Sequence, residues 1–98
     1  RTRMLFALVA LDRPNAVEDR LRVRPDHLKF LDSLGDSLLL AGPFLNDKGE
    51  SVGSIVIIES ESLDTARAAF NRDPYIEAGL FDMVMVKPWK TVVNRMRA

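Results

Sequence analysis

From Met4 to Leu11 the chain reads MLFALVAL, apolar at every position, and the run stops at Asp12-Arg13-Pro14. A short unbroken apolar run closed by turn-forming residues predicts a buried strand. Asn15 can cap a helix running toward Leu34, kinked or restarted at Pro25, and Gly35-Asp36 ends it. Leu38 to Phe44 (LLLAGPF) predicts a second strand, with Gly42-Pro43 confining it to an edge or a bulge, because proline has no N–H for a ladder. The polar turn Asn46-Asp47-Lys48-Gly49 joins it to a third strand, Val52 to Glu59, as a hairpin. Ser62 caps a second helix with Leu63, Ala66, Ala69 and Phe70 on one face, and Asp73-Pro74-Tyr75 starts a short turn or helix closed by Gly79. Phe81 to Val86, ended by Lys87-Pro88, is the last strand, and a basic tail runs from there to Ala98.

The order strand, helix, strand, strand, helix, strand is the split βαβ pattern of a ferredoxin-like α+β fold with a four-stranded antiparallel sheet. Both helices of that architecture cover one face of the sheet. A half-solvated sheet would alternate apolar with polar residues, yet both alternating sets of Met4 to Leu11 are apolar. Ile55 and Ile57 against Val56 and Ile58, and Met83 and Met85 against Val84 and Val86, repeat the pattern. The expected cover for the second face is another copy of the chain, a homodimer packed sheet to sheet.

Composition narrows the chemistry. The 98 residues fit one domain, with a core from about residue 4 to 89 and a C-terminal tail over 90–98. Fourteen basic residues balance 14 acidic ones, which argues against nucleic acid as a partner. There is no cysteine and one histidine, so thiolate nucleophiles, disulfides and multi-histidine metal sites within one chain are excluded. No apolar run approaches the roughly 20 residues that span a bilayer. The segment RTRMLFALVALDRP also has no small-residue cleavage site, so the expected setting is cytoplasmic, away from membranes.

The single histidine, His27, lies in RVRPDHLKFL. At about 100° per residue, Ala16, Val17, Leu31 and Leu34 share the inward half of the first helix with Arg20, Arg24 and His27. Buried charges need partners, so these side chains either pair with Asp12, Glu18 or Asp36, or they line a polar cavity. Asp73 is open in the same way: Asp before Pro is an ordinary helix cap, and it is also a carboxylate able to orient an imidazole.

Taken together the motifs resemble the YCII-related family. They are Asp12-Arg13-Pro14, then Arg20-Leu21 with Arg24, His27 and Leu28, then Leu38-Leu39 with Ala41-Gly42-Pro43. Gly53-Ser54, Asp73-Pro74-Tyr75 with Ala78-Gly79-Leu80, and Val86 with Pro88-Trp89 complete the set. The resemblance implies a dimeric α+β barrel related in fold to muconolactone isomerases, with a His-Asp dyad that falls here on His27 and Asp73. Arg24, Arg20, Gly42, Pro43, Ser54 and Tyr75 would line the substrate site. Activities in that family include elimination of chloride from chlorinated hydroxyhydroquinones. With no nucleophile, no metal and no cofactor expected, proton transfer remains: a lyase or isomerase acting on a small enolisable or phenolic acid, with an arginine holding its anion. The alternatives are a binding module that uses the same pocket for a small metabolite without turnover, and a purely structural dimerisation domain.

Overall fold

The computed structural model describes residues 3–97. The apolar run is strand β1, Met4–Asp12, and it is followed by helix α1, Val17–Ser33, a 3-10 turn at Gly35–Ser37, and strands β2, Leu38–Leu45, and β3, Ser51–Ser60. Helix α2, Leu63–Phe70, one helical turn α3, Pro74–Glu77, and strand β4, Phe81–Trp89, complete the order. The four strands form one antiparallel sheet in the order β2-β3-β1-β4, the ferredoxin-like arrangement. Residues 90–97 continue without regular structure, and Ala98, the last residue of the expected tail, lies outside the described residues. No helix among the described residues is long and apolar enough to cross a membrane.

Three local expectations differ from what forms. Asn15 does not cap α1: it takes a left-handed conformation at φ 58°, and the cap position falls on Ala16, which makes no side-chain bond. Asparagine tolerates that conformation better than most residues, and here it serves the turn rather than the helix. Pro25 neither breaks nor restarts α1, which stays helical on both sides of it. Proline removes the hydrogen bond to the carbonyl four residues earlier, that of Leu21, which sits on the exposed side where water can replace it. Strand β4 runs past Val86 through Pro88 to Trp89, because it is an edge strand and a proline there leaves a donor missing only where no neighbour needs one.

The registers decide what each sheet face carries. Phe6 pairs with Ile58 and Leu8 with Val56, and these four pack with Ala10, Ala66 and Phe70 as the core beneath the helices. Ser62 starts α2 as expected, its hydroxyl accepting the Thr65 N–H, which aims Ala66 and Phe70 at the sheet. The intervening positions, Leu5, Ala7, Val9 and Leu11, face the other way, beside Ile55 and Ile57 of β3 and Met83 and Met85 of β4. At the centre of that side Ala7 and Ile57 are buried, but among the described residues no helix lies over its margins. Leu11, Leu40, Met83 and Met85 remain 44%, 39%, 41% and 43% exposed, far more apolar surface than a solvated sheet face ordinarily shows.

Gly53, opposite Leu11 in the β1–β3 ladder, is one position where only hydrogen fits. A Cβ there would stand 2.6 Å from the Ala10 carbonyl oxygen and 3.0 Å from the Phe44 ring. The Ala10 oxygen belongs to the backbone of a central strand and cannot swing aside. Gly53→Ala is expected to cost about 1–3 kcal/mol as overpacking, read as a lower urea midpoint with the slope unchanged.

Candidate functional site

Helix α1 packs against α3 and β3 and leaves a gap over β2. The strand residues beneath that gap, Ala41, Gly42, Pro43 and Ser54, are too small to fill it. What results is a cavity of about 460 Å³, walled on the helix side by Arg20, Arg24 and His27 together with Leu21, Leu28 and Leu31, and closed by Tyr75 and the β2–β3 hairpin. Every residue expected to line a site is present in this one space within one chain. Asp73 stands just behind it, and Asp36 stays exposed at the end of α1, away from the cavity lining.

His27 is buried, and its Nδ1 lies 2.9 Å from Asp73 Oδ1. The same oxygen accepts the Tyr75 backbone N–H at 3.0 Å. Both expectations for Asp73 therefore hold at once: one carboxylate oxygen caps α3 and holds the imidazole. An ionised carboxylate can only accept, so the ring proton sits on Nδ1 and the lone pair on Nε2. Nε2 has no protein partner among the described residues, yet no buried side-chain nitrogen or oxygen there lacks one, so this atom opens toward the cavity that His27 lines.

Tyr75 lies against both ends of the arrangement. Its ring stacks on the His27 imidazole at 4.0 Å between centroids, tilted by 20°, and the Arg20 guanidinium lies 4.5 Å from its centroid. Arg20 and His27 are seven residues apart on α1, about 10.5 Å along the axis, so the ring bridges two turns of the helix. Burial pushes the Tyr75 phenol above its ordinary value; Asp73 adds to that rise, while Arg20 and Arg24 oppose it. The hydroxyl thus stays protonated and able to donate.

The two arginines differ in their engagement. Arg20 Nε donates to Asp12 Oδ2 at 2.7 Å, and its Nη2 donates to Asp12 Oδ1 at 3.0 Å and to Ser54 Oγ at 2.8 Å. With both side chains at most 5% exposed, the pair is a buried fork whose charges cancel. Arg24, one turn further along α1, forms no hydrogen bond or ion pair among the described residues. It is the uncompensated cation of the cavity.

Sequence reasoning passed over one lining segment. Gly49, Glu50 and Ser51 of the hairpin reach the cavity, and only the folded path of the hairpin brings them there. In the sequence Gly49 reads as the end of a polar turn, and Glu50 and Ser51 fall between that turn and the third strand.

A four-stranded ferredoxin-like sheet of this order has the fold of the α+β barrel class, and here its first helix roofs a cavity that His27 lines with Asp73 behind it. The chain belongs to the YCII-related family: the family's domain model matches residues 4–90. It is 45% identical over 97 residues to the protein YciI of Escherichia coli O6:H1, covering 91% of this chain and 99% of that one. A Haemophilus influenzae protein is 41% identical over the same coverage. Among solved structures, 5-chloro-2-hydroxyhydroquinone dehydrochlorinase from Burkholderia phenoliruptrix AC1100, in complex with 2,5-dihydroxybenzoquinone, superposes with a TM-score of 0.81 at 34% identity, covering 89% of this chain and 94% of that one. A Bacteroides antibiotic biosynthesis monooxygenase-like structure, at 7% identity and a TM-score of 0.59 with 99% of this chain and 96% of that one covered, shares the fold alone.

Tyr75 is the only tyrosine of the chain, so an ultraviolet titration reads a single phenol. Its raised value means that the stability it lends is full below pH 10.0 and is lost as pH climbs through the folded-state value, because the unfolded phenol ionises first. The phenolate band is expected above pH 10.0, and Tyr75→Phe should flatten the alkaline loss of stability measured in urea. A band at or below the ordinary value would contradict this.

Proposed function

We propose that the chain is a cofactor-free lyase or isomerase that moves a proton on a small enolisable or phenolic acid, with His27 as general base and acid. The observation that carries the proposal is the His27–Asp73 contact of 2.9 Å with Nε2 left open to the cavity. Asp73 fixes the tautomer, so that Nε2 is the nitrogen left to take a proton. The electron pair left on the substrate delocalises onto an oxygen, where Arg24 and the Tyr75 hydroxyl stabilise the charge. In an elimination that pair expels an anionic leaving group from the adjacent carbon. In an isomerisation the imidazolium returns the proton at another carbon. Arg20 and Ser54 act by positioning Tyr75 rather than by holding the anion, since their polar groups already bond one another and Asp12. The likeness to a dehydrochlorinase, whose name describes elimination, supports the lyase form.

Chloride release from 5-chloro-2-hydroxyhydroquinone is the direct assay. His27→Ala is expected to lower turnover by about 100-fold or more, and Asp73→Asn by about tenfold or more, with the ring proton no longer confined to Nδ1 by nitrogen NMR. Saturable binding of the compound with no chloride released would instead favour a binding module. Unchanged turnover in His27→Ala would remove the mechanism.

We also propose a homodimer in which the apolar faces carrying Leu11, Leu40, Met83 and Met85 pack on one another. Stacked sheets bury such faces at about 10 Å separation. Sedimentation is expected to show a single species of twice the chain mass, and Met85→Asp to shift it toward the monomer. A monodisperse native monomer at micromolar concentration would refute the assembly.

A further inference from the structure

The cavity carries a second charge whose sign opposes an anion. Glu50 lines it from the β2–β3 hairpin, while Arg24 lines it from α1. The hairpin holds Glu50 in place. Asn46 Oδ1 accepts the N–H groups of Lys48 and Glu50 at 2.9 and 3.0 Å, and the Asn46 N–H returns to the Glu50 carbonyl at 2.9 Å. Gly49, at φ 80°, lets the turn close. The Asn46 amide then donates to Glu50 Oε1 at 2.9 Å, which fixes the carboxylate. No cation pairs with Glu50 among the described residues, Arg24 and Lys48 included.

Residues bearing two unlike charges thus line one space of about 460 Å³, and no ion pair joins them. Were the occupant a simple anion, Glu50 would work against it from the hairpin side. Were it a cation, Arg24 would do the same from the helix side. Only a ligand with an acidic group at one end and a hydrogen-bond donor at the other satisfies both walls.

We infer that the cavity selects bipolar single-ring compounds, with an anionic oxygen on Arg24 and a hydroxyl or ammonium group on Glu50, and that Glu50 is the residue that turns away ligands carrying a second anion. The inference rests on the cavity being the ligand site of the proposed reaction. It adds a specificity determinant outside the proton-transfer machinery: Glu50 sets what sits at the outer end of the ring, while His27 and Asp73 act at the inner end.

Three acids of one shape test it: 4-(aminomethyl)benzoate, 4-methylbenzoate and terephthalate, titrated by calorimetry into the full chain and into Glu50→Gln and Arg24→Gln. The native chain is expected to bind the aminomethyl acid about fivefold to tenfold more tightly than the methyl acid, the range of one charge-assisted hydrogen bond in a partly open site, with terephthalate weakest. Glu50→Gln keeps the oxygen that Asn46 bonds, so the hairpin should hold. In that variant the aminomethyl preference should vanish and terephthalate binding should improve, with 4-methylbenzoate unchanged. Arg24→Gln should weaken all three. Native preference for terephthalate, a Glu50→Gln variant with the native order, or no binding of any acid at millimolar concentration would each overturn the inference. Chloride release assayed on the same preparations separates the two proposals. Loss of the ranking with His27-dependent turnover intact removes the role of Glu50 alone, whereas the ranking without turnover removes the reaction alone.

Discussion

One carboxylate oxygen organises the site. Asp73 Oδ1 receives both the His27 ring and the first free N–H of α3, so the start of a four-residue helix and the orientation of an imidazole are the same event. From that atom the contacts spread outward. The cap fixes Tyr75, Tyr75 supports the imidazole on one side and meets the Arg20 guanidinium on another, and Arg20 is anchored to Asp12 on β1 and Ser54 on β3. Two helices and two central strands are thereby tied to one buried polar network, and every buried polar side-chain atom in the described residues has a partner. Such a network is rigid because each group left without its partner would bear the full cost of desolvation.

Electrostatic division of labour follows from depth. At the bottom of the cavity an arginine would be intolerable without compensation, and there Asp12 meets Arg20 in a two-point fork with Ser54 taking a further N–H. One turn along α1 the exposed Arg24 can be hydrated by water, so it keeps its charge available. The same helix face therefore supplies a structural cation and a recognition cation, distinguished by burial rather than by residue type. The apolar side chains that line the same space, Leu21, Leu28 and Leu31, keep it from being a salt-filled groove.

The element order and the dressing of the sheet were readable from the residues because they depend on period-two patterning, which a single strand displays by itself. The inward position of His27, Arg20 and Arg24 was readable for the same reason, with helical spacing in place of alternation. Local rules failed where tertiary context outweighed them. Pro25 was expected to kink or restart a helix, but α1 runs continuously through it, and Leu21, whose carbonyl loses the bond, is an exposed residue. Asn15 has the chemistry of a cap but was claimed by the turn. Asp73 could not be resolved between cap and dyad because no sequence pattern excludes a carboxylate from being both. Glu50 was invisible, since its arrival at the cavity depends on how a hairpin folds over the sheet and not on any spacing within it.

The two prolines on the rims of the sheet have a consequence for crowded surroundings. β2 and β4 are the outer strands, and each carries one, Pro43 and Pro88. A foreign strand seeking to zip onto either border meets a residue with no hydrogen to offer, so lateral recruitment stalls at both margins. Growth by strand addition, the route from a sticky sheet to a fibre, is discouraged in the plane of the sheet, while the broad greasy face perpendicular to that route stays open. A chain made this way can keep a large apolar surface available for a finite contact without inviting an endless one.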